Sequence, residues 1–158
     1  MLNVRTIVGT TMVLACVAGA APIEARQAPR TVTLTVTDPV GEKMSYSLKQ
    51  ITAKPGEKLK VRVVSMAQTP KIVMAHNFIV LKEGTNVKAF TDAAANARAT
   101  DYIPPSMKTA ILAQTAMVGP GESMEVTFTA PTKPGKYVFL CSFAGHWAAG
   151  MTGDLIVK

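Results

Sequence analysis

Between Thr31 and Thr37 the chain alternates strictly, with Val32, Leu34 and Val36 on one side and threonines on the other. This period of two fits a strand with one buried face and excludes a helix, whose apolar positions recur at three and four. The same period returns at Met44, Tyr46 and Leu48, at Leu59, Val61 and Val63, and at Val126 and Phe128 within 124–130. Ile72 to Leu81 is apolar on both faces, which predicts a central strand. Tyr137 to Cys141 follows the turn pair Pro134-Gly135, and Leu155 to Val157 closes the chain. Pro55-Gly56 and Gln68-Thr69-Pro70 are further breaks. One segment departs from this pattern. Thr85 to Thr100 is Ala-rich, with Val87, Phe90, Ala94 and Ala97 at helical spacing. The whole predicts an all-β sandwich of about 7–8 strands with one short helical excursion. A chain of 158 residues allows a single domain, and an apolar fraction of 48% excludes a disordered one.

Residues 1–25 read as a secretory signal peptide. Arg5 supplies the positive start, Thr6 to Val17 is mostly apolar and uncharged, and Ala18-Gly19-Ala20 offers small residues for cleavage, after Ala20 or Ala25. The alternative is a lipoprotein signal. Val13-Leu14-Ala15-Cys16 resembles a weak bacterial lipobox that ends before Cys16, and acylated Cys16 would then be the chain's one tie to a membrane. Either reading places residues 31–158 outside the cytoplasm, in the periplasm or secreted, behind a linker at 26–30 that contains Pro29. The chain carries 17 basic and 10 acidic residues, a net +7. No block of five or six like charges occurs, which argues against nucleic-acid binding and for an acidic protein partner or an anionic surface.

The whole chain has two cysteines and two histidines. With Cys16 in the leader, Cys141 is the one thiol of the domain, so it has no disulfide partner there. Cys141, His146 and Met151 stand at five-residue steps directly after a predicted strand. On a helix such steps would turn successive side chains by about 140°, away from one face. Gly145 and Gly150 point instead to a compact loop that can curl the three side chains toward one point. The other histidine, His76, lies in Met74-Ala75-His76-Asn77-Phe78. Taken singly, His76 reads as a core histidine, Cys141 as an inert buried thiol and Met151 as packing. Together, two imidazoles, a thiolate and a thioether form the donor set of a mononuclear blue-copper site. A trigonal His₂Cys set with a weak Met satisfies neither tetragonal Cu(II) nor tetrahedral Cu(I) fully, so one electron can enter or leave with little rearrangement.

These stretches resemble the azurin/auracyanin branch of the cupredoxins. Met74 to Phe78 is similar to that branch's M-G-H-N-W motif, and Cys141 to Met151 to its C-T-F-P-G-H loop with a terminal Met. Asp101-Tyr102-Ile103-Pro104-Pro105, Thr115-Ala116-Met117 and Gly121-Glu122-Ser123 carry the likeness further. The resemblance implies a cupredoxin-type Greek-key sandwich. It implies His76, Cys141 and His146 as equatorial copper ligands, Met151 as the axial one, and the Ala75 carbonyl as a weak further approach in place of a glycine's. It also implies that Asn77 bonds to Ser142 and holds the Cys loop. Azurins carry a disulfide near the mature N-terminus, for which this chain has no Cys pair.

The ring edge of His146 is expected to be exposed, inside an apolar rim that includes Phe143, Ala144, Trp147 and Ala148. The resemblance makes this rim the docking patch for redox protein partners such as cytochromes or membrane electron-transfer complexes. The expected function is a monomeric, extracytoplasmic one-electron carrier cycling Cu(II)/Cu(I), with a copper-holding protein for delivery or detoxification as the alternative. An enzyme is not expected. Met151 has no hydrolytic role beside a Cys–His pair, and no histidine remains for a second copper centre.

Overall fold

The computed structural model describes residues 28–39, 41 and 43–158, so the expected leader with Cys16 and the first two residues of the expected linker lie outside the described residues. The alternating run at the domain's start forms β1 (Arg30–Val36), with Val32, Leu34 and Val36 inward. β1 runs parallel to β3 (Lys58–Ser65), which buries Leu59, Val61 and Val63 on the same face. β3 pairs antiparallel with β6 (Ser123–Thr129), completing a three-stranded sheet in the order β1-β3-β6. The second sheet has five strands in the order β2-β8-β7-β4-β5. These are β2 (Gln50–Ala53), β4 (Ile79–Leu81), β5 (Ile111–Gln114), β7 (Gly135–Leu140) and β8 (Thr152–Val157). The main core lies between the sheets, where Leu34, Leu59 and Val61 meet Ile51, Tyr137, Phe139 and Leu155.

Three expectations change. The apolar stretch Ile72 to Leu81 is not one strand. The Pro70 carbonyl accepts from the Val73 and Met74 N–H groups, so the chain turns, and Ile72 and Val73 are 73% and 61% exposed. Only Ile79–Leu81 enters the sheet, while His76 forms an isolated antiparallel bridge to Val118. Met44, Tyr46 and Leu48 alternate but form no strand. Tyr46 is buried, Leu48 is exposed, and the edge of the sheet is made by β2 instead. The helix α1 spans Val87–Ala95, shorter than the Thr85–Thr100 pattern. The Asn86 side chain accepts from the Ala89 N–H at its start. Its buried face, Phe90 and Ala94, is the periodic one, and Phe90 packs on Ile79, Leu81 and Leu140 in a second cluster. Short 3-10 turns at Arg98–Thr100 and Pro105–Ala110 return the chain to β5.

Candidate metal centre

The strands deliver the soft side chains to one end of the sandwich. β7 ends at Leu140, so Cys141 is the first residue past the sheet, and the loop returns at Met151 to start β8. The loop ties itself off through its own backbone. Cys141 N–H donates to Met151 O at 3.1 Å, Met151 N–H to His146 O at 2.9 Å, and His146 N–H to Phe143 O at 3.1 Å. Gly145 and Gly150 sit at φ 83° and 99°, which lets so short a loop close. From the other side, His76 exchanges backbone hydrogen bonds with Val118 at 2.9 and 2.7 Å. The Phe78 N–H donates to Thr115 Oγ1 at 3.0 Å.

Ligand atoms of His76, Cys141 and His146 all lie within 4.8 Å of one another, and all three residues are buried. His146 Nδ1 is 3.5 Å from Cys141 Sγ, and His76 Nδ1 is 3.3 Å from Met151 Sδ. The two imidazole centroids are 4.9 Å apart. The Ala75 carbonyl oxygen is 4.0 Å from Cys141 Sγ, at the rim of the same space. Asn77 grips the start of the loop twice. Its Nδ2 donates to Ser142 Oγ and its Oδ1 accepts from Ser142 N–H, both at 2.9 Å.

Burial sets the charge states. Desolvation pushes His76 down to about 4 from 6.5, with Asp38 opposing weakly. Desolvation also lowers His146 to about 4, helped by His76. Both imidazoles are therefore neutral near pH 7 with a lone pair to give. Burial pushes the Cys141 thiol up to about 12, although the Asn77 and Phe143 N–H groups favour its thiolate. A metal ion must supply the rest of the energy for deprotonation. The donor chemistry fits such an ion. Sulfur is a weak hydrogen-bond partner, so the imidazole nitrogens facing the thiol and the thioether make poor hydrogen bonds there. A soft cation completes all four donors at once.

Residues 32–158 match the sequence model of the family described as copper binding proteins, plastocyanin/azurin family. The chain belongs to this family. This cupredoxin is 31% identical over 148 residues to azurin of Achromobacter denitrificans, spanning 92% of this chain and 94% of that one. It is 42% identical over 83 residues to auracyanin-B of Chloroflexus aurantiacus, a match that spans 52% of this chain and 35% of that protein. The solved structure of dithionite-reduced auracyanin from Roseiflexus castenholzii superposes with a TM-score of 0.68 at 36% identity, covering 84% of this chain and 99% of that one. Copper is thus the metal of the family, and His76, Cys141 and His146 form the cupredoxin's candidate copper site.

One expectation about this cupredoxin's site is corrected. His146 does not present an exposed edge, because its residue surface is only 2% accessible. Phe143 lies against it at a centroid distance of 4.6 Å, and Tyr102 lies on Phe143 at 4.6 Å. Around it, Ala144 and Ala148 are exposed while Phe143 and Trp147 are half-buried. Trp147 also packs on the cluster beneath α1. Sequence reasoning gave no role to Tyr46, Tyr102 or Thr115. The buried Tyr46 hydroxyl donates to the Asn77 carbonyl, and so braces the residue that grips the loop. A tyrosine in an otherwise apolar alternation, needing a partner for its hydroxyl, was the available signal.

Proposed function

We propose that this cupredoxin is a one-electron carrier that works outside the cytoplasm. The observation that carries the reading is the buried meeting of His76, Cys141, His146 and Met151 donor atoms at one point. Bound there, copper would supply the Cu(II)/Cu(I) couple. The chain's own residues do the remainder. The backbone bonds of the 141–151 loop and the paired Asn77–Ser142 bonds hold the donors in place whichever oxidation state is bound. Close packing keeps water from the imidazoles, so the environment changes little between states. The Ala75 carbonyl, 4.0 Å from Cys141 Sγ, would add a weak further interaction.

Partner docking belongs to the face formed by Phe143, Ala144, Trp147 and Ala148. A groove of about 250 Å³ runs between this loop and α1, with Lys88 and Asp92 on its far wall. A small apolar contact with Lys88 and Asp92 beside it favours brief encounters, and the net +7 favours acidic redox proteins, cytochromes or membrane complexes among them. The leader at 1–25 supports export of the carrier. His76, Cys141 and His146 gather at one metal position with Met151 beside them, which supports a carrier.

The test is addition of Cu(II) to the purified protein. The carrier gives an intense blue thiolate-to-copper band that bleaches on reduction and returns on oxidation. A colourless protein that holds only Cu(I) would overturn the carrier and favour copper delivery or storage.

A further inference from the structure

Asp101 and Tyr102 are the two non-glycine residues with positive φ among the described residues, at 52° and 59°, and they are consecutive. A bulky residue in the left-handed region is strained, and a neighbouring pair needs a reason and a restraint. The restraint is visible. Asp101 N–H donates to Arg98 O at 3.2 Å, Tyr102 N–H to Ala97 O at 2.9 Å, and Ile103 N–H to Thr100 O at 3.0 Å. The Thr100 hydroxyl reaches the Ile103 carbonyl at 2.7 Å. The result of the turn is a change of direction. Ile103 and Met107 pack into the cluster under α1, whereas Tyr102 belongs to neither core cluster. Its ring lies on Phe143, whose ring lies on His146, whose ring lies by His76 at 4.9 Å.

Phe143 is only half-buried and sits in a loop with exposed Ala144 and Gly145 beside it. Tyr102 gives its outer side an aromatic neighbour. The other contacts of Phe143 are with the main core and the His146 ring, so Tyr102 closes its remaining side.

We propose that Tyr102 is a positioning residue, the outer member of a Tyr102–Phe143–His146 stack that locks His146 toward the metal and closes the site to water. The inference rests on the copper-site reading above. The strained Asp101–Tyr102 turn is the arm that aims this cover. Electrons then cross to a partner through a covered ligand rather than an open one, and no bond forms or breaks in the cover.

The metal-free full-length protein provides the test, because it needs no copper. Cys141 is labelled with a thiol reagent and its rate read by peptide mass spectrometry, while NMR follows the His146 ring signals. Stacked aromatic pairs and local opening set the scale, so Tyr102→Ala should speed Cys141 labelling by about five- to tenfold. The same variant should broaden or split the His146 ring signals. Tyr102→Phe should restore both, and Tyr102→Leu, which keeps bulk without a ring, should behave like Tyr102→Ala if the latter folds poorly. Wild-type labelling rates in the Ala and Leu variants overturn the proposal. So does faster labelling that tracks lost global stability while the His146 signals stay as in wild type. A wild-type protein that labels as expected yet gives no blue band on copper addition would instead defeat the electron-carrier reading alone.

Discussion

At the scale of single residues, the site is a problem of where protons go. Near pH 7 His76 and His146, both pushed down to about 4, hold no proton to surrender. Cys141, pushed up to about 12, holds one. Metal ligation requires the thiolate. Copper binding at pH 7 should therefore release about one proton per site, from the thiol alone. Calorimetry of Cu(II) binding in two buffers of different ionisation enthalpy measures that number. A value near two or more would mean that an imidazole is protonated in the metal-free site. The Asn77 side chain holds Ser142, the residue next to that sulfur. Asn77→Ala removes both bonds to Ser142 and leaves its N–H group buried and unpaired. The expected loss is about 2–3 kcal/mol in urea unfolding of the metal-free protein, with faster loss of copper to a chelator. A change under half a kilocalorie would show that the loop does not depend on this grip.

At the scale of elements, legibility followed burial. β1 and β3 could be read because each buries one face, so their apolar residues alternate. The stretch from Ile72 could not be sized, because an all-apolar run carries no period, and the Pro70 turn that diverts it is a local hydrogen-bonding matter. β2 has only Ile51 and Ala53 facing in, too few to show a period, and its place is set by pairing with β8. His76, Cys141 and His146 were legible because histidine and cysteine are scarce here, and Met151, one of nine methionines, because of its spacing from them. Tyr46, Tyr102 and Thr115 were not, since their roles exist only through contacts distant in sequence. The helix tests which contacts matter. Phe90 is fully buried against Ile79, Leu81 and Leu140, whereas Asn86 caps an exposed end. Phe90→Ala should cost about 3–5 kcal/mol and Asn86→Ala about 1 kcal/mol in denaturant titrations. Equal costs would mean that α1 is held by its own turn rather than by the sheet beneath it.

At the scale of the whole molecule, the sandwich gathers the donors in one place and excludes water from their ionisable groups. The stability of the metal-free protein must then depend on pH in both directions. An unfolded histidine titrates near 6.5, while folded His76 and His146 titrate near 4. Below about pH 6.5 the unfolded chain binds protons that the folded one refuses, so stability falls as pH drops toward 4. The thiol acts on the other side. Its value rises from 9.0 to about 12 on folding, so above pH 9 the unfolded chain releases a proton that the folded one keeps. Stability falls again as pH climbs toward 12. Carboxylates held low, such as Glu57 by the Arg30 guanidinium, add to the acid side only below their own range. The metal-free protein should be most stable between about pH 6.5 and 9, measured as the urea midpoint across a pH series. Replacing both histidines with alanine should flatten the acid limb between pH 6.5 and 4 while leaving the alkaline limb. An acid limb that persists unchanged would place its protons on groups other than these two imidazoles, and would remove the reason for calling them neutral donors waiting for a cation.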